Sequence, residues 1–233
     1  MKLDILAFGA HPDDVEISCG GTLLKHIAQG KRCGIIDLTQ GELGTRGSGE
    51  LRLVEAENAK NILGIEAREN LGFSDGFFVN DKEHQLPIIE MIRKYRPEIV
   101  LANSVHDRHP DHGKGAKLVA DACFLSGLVK IDTGQDAWRP KAVYHYIQDE
   151  FIQPDFTIDI TPYFDKKVEA ILAFSSQFYN PESDEPNTPI SGKGFLDFLK
   201  GRAAVVGRPI GAELAEGFTA HRNIGVKNLF DLV

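Results

Sequence analysis

Near its start the chain reads Ile5-Leu6-Ala7-Phe8, followed directly by Gly9-Ala10-His11-Pro12-Asp13-Asp14. A short, continuous apolar run of this kind is typical of a strand buried on both faces. The residues after it bring one imidazole and two carboxylates to the strand's carboxyl end. Beyond them an apolar face predicts a helix up to Gln29, with Gly30 as its stop. We expect this strand, loop and helix to decide the fold.

A second polar cluster appears about a hundred residues later and again follows an apolar run. Ile99-Val100-Leu101-Ala102 predicts a strand, and Asp107-Arg108-His109-Pro110-Asp111-His112 comes shortly after it. In open parallel sheets, ligands bind beyond the carboxyl ends of the strands. We therefore expect the two loops to meet and to hold one divalent metal ion, with zinc as the first choice.

Predicted strands alternate with predicted helices along the chain. Besides strands at 3–9 and 99–102, we predict strands at 33–38, 67–71, 142–147 and 156–160, and helices ending near 29 and at 50–63, 84–95, 113–125, 162–174 and 194–206. Thr161 is expected to cap one helix with Pro162 at its first position, and Pro87 must lie in the first turn of another. The alternation indicates an α/β fold, an open and mostly parallel sheet with helices on both faces. Without a linker or a repeat, we expect one domain over residues 1–233.

Composition limits the classes of function. Hydrophobic residues make up 42% and charged residues 26% of the chain, as is usual for a globular protein with a core. The net charge of −8 argues against nucleic acid as a partner. Three scattered cysteines are expected to be buried thiols. Because we find neither a signal-peptide pattern nor an apolar run of about 20 residues, we expect a cytoplasmic protein that does not enter a membrane.

The two clusters together suit a catalytic metal. Zinc binds imidazole nitrogens and carboxylate oxygens, and a catalytic zinc takes three such ligands and keeps one position open. His11, Asp14 and His112 form a set of this kind. Fe(II) or Mn(II) would also suit these donors. Either cluster alone could instead be a polar loop or a helix cap, with Asp13 and Asp14 at the positive end of the next helix, but two clusters at two strand ends favour the metal.

Three polar residues remain beside the expected ligands. Zinc lowers the pKa of a bound water to about 7, and the carboxylate of Asp13 could accept that water's proton. His109 could stabilise an oxyanion or protonate a leaving amine, and Asp111 could orient His109. These groups describe metal-assisted hydrolysis of an amide or ester, without identifying the bond.

The two motifs resemble those of a known enzyme family. Ala10-His11-Pro12-Asp13-Asp14 and His109-Pro110-Asp111-His112 are similar to the zinc-dependent N-acetylglucosamine deacetylase superfamily, called LmbE-like or PIG-L-like. Other stretches resemble its bacillithiol-biosynthesis branch, namely Asp37-Leu38-Thr39-Gln40-Gly41-Glu42-Leu43-Gly44-Thr45-Arg46-Gly47, Glu50-Leu51-Arg52, Glu55-Ala56, Glu69-Asn70-Leu71, Ser176-Gln177-Phe178 and Ala215-Glu216-Gly217-Phe218. The resemblance covers nearly the whole chain.

The resemblance implies a Rossmann-like fold and zinc bound at the positions of His11, Asp14 and His112. It implies Asp13 as the general base and His109 as the residue that assists charge stabilisation or acid catalysis. The implied reaction is the removal of acetate from N-acetylglucosaminyl malate, a small amino-sugar substrate, to give glucosaminyl malate. Because relatives tend to be oligomers, we expect a homo-oligomer.

One departure from related enzymes concerns the substrate. Relatives in the mycothiol pathway carry a Tyr where this chain has Asp107, so a role for that Tyr cannot be transferred. Arg108 and Arg52 are candidates to bind the sugar or the malate carboxylates, because arginine suits bidentate carboxylate recognition. Each could equally form a surface or loop-bracing ion pair. The loops 41–49 and 180–192 could be lids, ordered structural loops or subunit contacts.

Several other functions remain open at this point. The same scaffold could serve an amidase of thiol S-conjugates or a deacetylase of another N-acetylglucosaminide. A non-catalytic zinc- or sugar-binding module is the alternative of another class, although such a module needs neither Asp13 nor His109. A nucleotide-binding oxidoreductase is disfavoured, because Gly9-Ala10-His11 lacks the glycine spacing that lets a pyrophosphate approach the backbone.

Overall fold

A computed structural model describes residues 1–232 of the protein, with side chains described through residue 230. Within this range seven strands form one sheet: β1 Ile5–Gly9, β2 Cys33–Thr39, β3 Ala67–Phe73, β4 Ile99–Ala102, β5 Ala142–Tyr146, β6 Phe156–Asp159 and β7 Ala215–Ala220. The strand order is β3-β2-β1-β4-β5-β7-β6. The first five strands in this order are parallel, whereas β7 runs antiparallel to both β5 and β6. The predicted α/β class and mostly parallel sheet are confirmed.

Six α-helices connect the strands in the described residues: α1 Asp14–Ala28, α2 Gly49–Leu63, α3 Lys82–Tyr95, α4 Pro110–Leu125, α5 Phe164–Leu172 and α6 Phe195–Gly207. The helices lie on both faces of the sheet, as predicted. In β1, Leu6 and Phe8 pack into one core with α3 and α4. Ile5 and Ala7 face the opposite core, which includes α1 and α5, because successive side chains of a strand point to opposite faces.

Two local predictions about helix starts are wrong. Thr161 does not cap α5: residues 161–163 form a 3₁₀ turn, in which the Asp159 carboxylate accepts hydrogen bonds from the Thr161 backbone and hydroxyl, and α5 begins at Phe164. Pro87 lies inside α3 rather than in its first turn, since α3 already begins at Lys82. The Asp81 side chain caps α3 by accepting from the backbone N–H of His84, so the cap lies upstream of the predicted start.

The sequence pattern did not predict strand β7. In the structure, β7 supports α1 at a kink. The helix is kinked at Cys19, whose φ and ψ are −142° and 17°. The buried carboxylate of Glu216 in β7 accepts hydrogen bonds from the backbone N–H groups of Gly21 and Thr22 just after the kink. Lys167 lies 2.6 Å from the same carboxylate, so the charge of Glu216 is balanced in the interior.

The three cysteines are free and buried, as predicted. Among residues 1–232, no helix has both the length and the apolar composition that a bilayer-crossing segment requires.

Candidate active site

The two polar clusters meet beyond the carboxyl ends of β1 and β4, which are neighbours in the sheet. Their three imidazole rings contact one another. The ring centroids of His11 and His109 are 4.6 Å apart, those of His109 and His112 are 5.1 Å apart, and those of His11 and His112 are 5.5 Å apart. We expected the two loops to meet because polar residues at the carboxyl ends of parallel strands lie at one edge of the sheet (the strand-end rule). The structure shows that they do.

Asp14 connects the histidines of the two clusters. One of its carboxylate oxygens lies 3.6 Å from Nδ1 of His11, and the other lies 3.1 Å from Nε2 of His112. Two ligand atoms bound tetrahedrally to one zinc ion, each about 2.0–2.1 Å from it, are about 3.3 Å apart. The spacing of the donors around Asp14 therefore fits a single small divalent ion.

Neutral amides hold the Asp14 carboxylate in place. Asn103, which follows β4, donates a 2.9 Å hydrogen bond to one oxygen, and Gln148, which follows β5, donates a 3.0 Å bond to the other. The backbone N–H of His11 adds a 3.0 Å bond. Three strand ends thus contribute to the orientation of one carboxylate, although the sequence pointed to only two.

Carboxylates also fix the ring nitrogens on the outer side of the histidines. Asp107 lies 2.5 Å from Nδ1 of His112, and Asp75 lies 3.1 Å from Nε2 of His11. Such partners hold the proton on the outer nitrogen and leave the lone pair of the inner nitrogen for a metal. The donor chemistry of Nδ1 in His11 and Nε2 in His112 therefore fits a metal ligand.

The electrostatics of the cluster favour a cation. Burial by itself would lower the pKa of His11, but hydrogen bonds to Asp111, Asp14 and Asp75 raise that pKa well above its usual value. Likewise burial lowers the pKa of His112, whereas the charge of Asp14 and contacts with carboxylates raise it to about 9. A ring nitrogen that faces a carboxylate oxygen with its lone pair is repelled by it. A proton or a metal ion between the two atoms removes this repulsion at both His11 and His112.

Two further groupings of potential ligands overlap with this set. His11, His109 and His112 can bring one ring nitrogen each within 4.8 Å of one another, and so can the ligand atoms of His11, Asp75 and Asp111. We favour the set that contains Asp14, because its contacts with both histidines are direct. In the other two groupings, Nδ1 of His109 already accepts a backbone N–H, and the carboxylates contact the outer nitrogen of His11.

Asp13 differs from a helix cap. It occupies the position before α1, yet its side chain makes no capping hydrogen bond, and within the described residues its carboxylate receives none. Its φ of 110° is a strained value, shared in sign by only one other non-glycine residue of the described chain, Arg96. Strain of this kind tends to occur at functional sites. Burial raises the pKa of Asp13 to about 7, while the charge of Arg52 opposes the rise.

His109 does act as a cap, in an unusual way. It precedes α4, and its Nδ1 accepts the backbone N–H of Asp111 at 3.3 Å. The proton of a neutral His109 therefore lies on Nε2. Burial lowers the pKa of His109, and the neighbouring charges of His11 and His112 lower it further.

The carboxylate of Asp111 contacts His11 rather than His109, which differs from our expectation that it would orient His109. One oxygen accepts the backbone N–H of Gly76 at 2.7 Å and lies 3.5 Å from Nε2 of His11, and the other accepts from Lys114 at 2.9 Å. The difference arises because α4 begins at Pro110, so the Asp111 side chain lies in the first helical turn while its N–H bonds to His109.

Of the two predicted substrate arginines, Arg52 is tied to the protein. It is buried, hydrogen-bonds to Gln177 and packs beneath the loop 41–49, where a Cβ on Gly41 would collide with its guanidinium. It also lines the cavity beside Asp13. Arg52 thus braces the loop and places its charge near Asp13.

Arg108 lies at the rim of the cavity. Its side chain is 46% exposed, and its Nε lies 2.6 Å from the Asp149 carboxylate. The loop 41–49 also borders the cavity, and hydrogen bonds tie it to Asp75 through Leu43 and to Glu185 of the second loop through Gly47. The two loops that the sequence left open are therefore joined to each other at the rim.

The site opens into a cavity of about 380 Å³, a size that suits a small ligand. His11, Asp13, Asp14 and His112 lie on its polar side. The facing wall comes from α6 and the segment before it, and it contains Ile190, Phe195, Phe198, Leu199 and Arg202. Sequence reasoning found the polar side but missed this wall, although its period of three to four residues was visible.

Comparison with known proteins identifies the family to which the chain is similar. Residues 6–123 match the family described as PIG-L: GlcNAc-PI de-N-acetylase. The chain is 30% identical over 190 residues to a diacetylchitobiose deacetylase of Thermococcus kodakarensis, covering 75% of this chain and 70% of that protein. Among solved structures, the conserved protein TT1542 from Thermus thermophilus superposes with a TM-score of 0.88 at 34% identity and covers 97% of this chain and 98% of that one.

Other relatives differ in their named activities. The chain is 27% identical to a 4-oxalmesaconate hydratase of Pseudomonas putida, over 74% of this chain and 73% of that protein. It is also 27% identical to a probable N-acetyl-α-D-glucosaminyl L-malate deacetylase 2 of Bacillus anthracis, over 75% of this chain and 81% of that protein. The match to the deacetylase family is therefore clear, whereas the relatives do not agree on one substrate.

Proposed function

Because the chain belongs to the PIG-L family of GlcNAc-PI de-N-acetylases, we propose that it hydrolyses the acetamide of N-acetylglucosaminyl malate and releases acetate and glucosaminyl malate, a step of bacillithiol biosynthesis. At the coarser level the chain is a metal-dependent amide hydrolase that acts as a deacetylase on N-acetylglucosamine-type substrates. The observation that carries the proposal is the free carboxylate of Asp13 in a cavity lined by His11, Asp14 and His112.

Two observations support malate as the aglycone. The chain has 27% identity to the probable N-acetylglucosaminyl malate deacetylase of Bacillus anthracis. In addition, three arginines line the cavity, namely Arg52, Arg108 and Arg202, and a dicarboxylate is the kind of group that arginines recognise. The diacetylchitobiose deacetylase is more similar in sequence, so the chitobiose disaccharide is the substrate against which malate must be tested.

His11, Asp14 and His112 would hold the metal, with zinc the first choice for two imidazoles and a carboxylate and Fe(II) or Mn(II) as alternatives. When bound, such an ion polarises the acetamide carbonyl and makes water more acidic. Asp107 and Asp75 orient the two histidines through their outer nitrogens.

The protein's own groups account for the proton transfers. Asp13 removes a proton from the attacking water as its oxygen bonds to the acetyl carbon, and it returns that proton to the sugar nitrogen as the carbon–nitrogen bond breaks. His109 donates from Nε2 to the developing oxyanion, since its Nδ1 already accepts the Asp111 N–H. Among residues 1–230, no side chain or backbone group forms another hydrogen bond to the Asp13 carboxylate or to Nε2 of His109.

The test is acetate release by metal-free protein and by protein reloaded with zinc, Fe(II) or Mn(II). The substrates are N-acetylglucosaminyl malate, diacetylchitobiose and a cysteine S-conjugate that carries an N-acetyl group. We expect metal-restored release, with the highest kcat/KM for the malate glycoside. The variant Asp13→Asn provides the matched negative control.

The possible results separate the alternatives. Faster release from diacetylchitobiose would support the deacetylase activity but would show that the disaccharide, and not the malate glycoside, is the preferred substrate. Preference for the S-conjugate would indicate an amidase of thiol conjugates. No acetate from any of the three, despite one bound metal per chain, would contradict the deacetylase and direct attention to hydration of an unsaturated acid, the activity named for the Pseudomonas putida relative.

A further inference from the structure

Arg202 is the cavity arginine for which the description of the candidate active site gives no polar contact. Arg52 hydrogen-bonds to Gln177, and Arg108 pairs with Asp149. In the described part of the chain, Arg202 makes no hydrogen bond and no ion pair. The ring of Phe198 lies beside it, with its centroid 5.4 Å from the guanidinium carbon.

The position of Arg202 on α6 directs it to the cavity. Phe195, Phe198, Leu199 and Arg202 stand at positions i, i+3, i+4 and i+7 and all line the cavity, as residues on one face of a helix do. This face of α6 therefore presents three apolar side chains and one cation to the cavity. The Phe198 ring lies against the guanidinium, which limits the directions its donors can take.

The carboxylates nearest to Arg202 are already engaged. Its pKa is lowered by burial, and the charges of Asp149, Asp107 and Glu216 act against that lowering without contacting it. Each of the three contacts another cationic or imidazole side chain, namely Arg108, His112 and Lys167 respectively. Within the described residues the N–H donors of Arg202 therefore have no protein acceptor, and a half-buried guanidinium beside an apolar wall favours an anionic ligand.

We propose that Arg202 binds a carboxylate of the aglycone and so selects N-acetylglucosaminides that carry an anionic aglycone over neutral ones. The inference rests on the proposed deacetylase function and names a specificity-determining residue for it. A carboxylate can accept two parallel N–H bonds from one guanidinium. Arg108 already donates from Nε to Asp149 and is nearly half exposed at the rim, whereas no acceptor among the described residues holds Arg202, so we take Arg202 as the principal cation for the aglycone.

The experiment compares Arg202→Gln and Arg202→Lys with wild-type metal-loaded enzyme on two substrates, N-acetylglucosaminyl malate and the neutral methyl N-acetylglucosaminide. We expect Arg202→Gln to lower kcat/KM for the malate glycoside about 10- to 100-fold, mainly through KM, as for loss of hydrogen bonds to a charged group. For the methyl glycoside we expect a change within about twofold, because that substrate has no carboxylate to lose. Arg202→Lys keeps the positive charge but lacks the paired N–H donors of a guanidinium, so its kcat/KM for the malate glycoside should lie between those of wild type and Arg202→Gln.

Arg208→Gln is the matched control. It removes the same charge directly after α6, from an exposed side chain that does not line the cavity. This variant should resemble wild type on both substrates. Since Arg202 has no hydrogen-bond partner in the described chain, Arg202→Gln leaves no buried acceptor unpaired, and we expect it to fold.

A binding measurement separates failure of this inference from failure of the proposed function. Calorimetry measures the affinity of wild type and Arg202→Gln for glucosaminyl malate and for methyl glucosaminide, whether or not acetate is released. Tighter binding of the malate compound by wild type, lost in Arg202→Gln, supports the inference even if turnover is absent. Equal losses for both compounds, or no loss for the malate compound, would overturn it.

Discussion

Replacing Asp107 by Asn should weaken metal binding while preserving the fold. The Asp107 carboxylate is fully buried and lies 2.5 Å from Nδ1 of His112, while its second oxygen accepts the backbone N–H of Glu150 at 2.6 Å. Asn keeps an oxygen for the Glu150 bond and nearly the same volume. What it removes is the negative charge that holds the proton on Nδ1 and leaves Nε2 free for the metal.

The magnitude follows from the kind of contact. A hydrogen bond to a charged group contributes about 1.5–3 kcal/mol. Removal of a carboxylate that orients a histidine ligand costs about 10- to 100-fold in metal affinity, which corresponds to about 1.4–2.7 kcal/mol. Because the Asp107 side chain exposes no surface, solvent screens this contact less than it screens a surface ion pair. We expect a loss in the upper half of the range.

The assay is competition for zinc between the protein and a chromophoric chelator at about pH 7.5, with urea unfolding of the metal-free proteins as the check on the fold. Asp121→Asn is the control, since it removes the same charge from α4, where Asp121 pairs with Lys117 and does not contact His112. The reasoning is refuted if Asp107→Asn binds zinc within twofold of wild type. It is also refuted if Asp121→Asn loses as much affinity, because the effect would then be one of net charge.

Asp13→Asn should still bind one zinc per chain, because asparagine tolerates the positive φ of this position, but kcat should fall about 100-fold or more; normal turnover would remove Asp13 as the base. His112→Ala should lose the metal, and full zinc occupancy measured by atomic emission would disprove the ligand set. His145 is a pH-sensitive point of stability, because burial lowers its pKa from 6.5 to about 4. Below about pH 6.5 the unfolded chain binds a proton at His145, whereas the folded protein binds it only near pH 4. The free energy of unfolding therefore decreases as the pH is lowered through this window, by about 2 kcal/mol between pH 7 and pH 5. Urea unfolding of metal-free His145→Gln should show a pH-dependent loss smaller by about this amount, and an identical loss in both proteins would contradict the assignment.

The sequence predicted the centre of the sheet and the polar side of the site for one physical reason. Apolar runs such as Ile5-Leu6-Ala7-Phe8 identify buried parallel strands, and polar residues at their ends must meet at one edge. This argument needs no knowledge of long-range packing. It brought together His11, Asp14 and His112, whose contacts the structure then provides.

The same reasoning could not find β7. Ala215-Glu216-Gly217-Phe218 lacks an apolar run, because Glu216 points inward to accept N–H groups from the kinked α1 and to pair with Lys167. A buried carboxylate of this kind is determined by a partner some two hundred residues away in sequence. The local pattern therefore leaves this buried strand undetected.

The supporting residues of the site were missed for a related reason. Gln148 and Asn103 are neutral amides with no metal-ligand pattern, yet they hold the Asp14 carboxylate from two strand ends. Gln148 comes two residues after β5 ends, so the strand-end rule would have included it if it had been applied to every strand and every polar residue type. Asp75 likewise comes two residues after β3 ends, so the same rule would have included it as a neighbour of His11.

The two positions that precede helices at the site use their side chains in opposite ways. His109 caps α4 through Nδ1, and this bond determines that Nε2 is the donor available to a ligand. Asp13 precedes α1 but caps nothing, so its carboxylate remains available as a base while its backbone stays strained. A capping bond to either oxygen would lower the basicity of the whole Asp13 carboxylate, whereas the two nitrogens of His109 can serve the cap and a ligand separately. A cap pattern in a sequence therefore does not by itself exclude catalysis, and the strained φ of an uncapped Asp is the more informative sign of function.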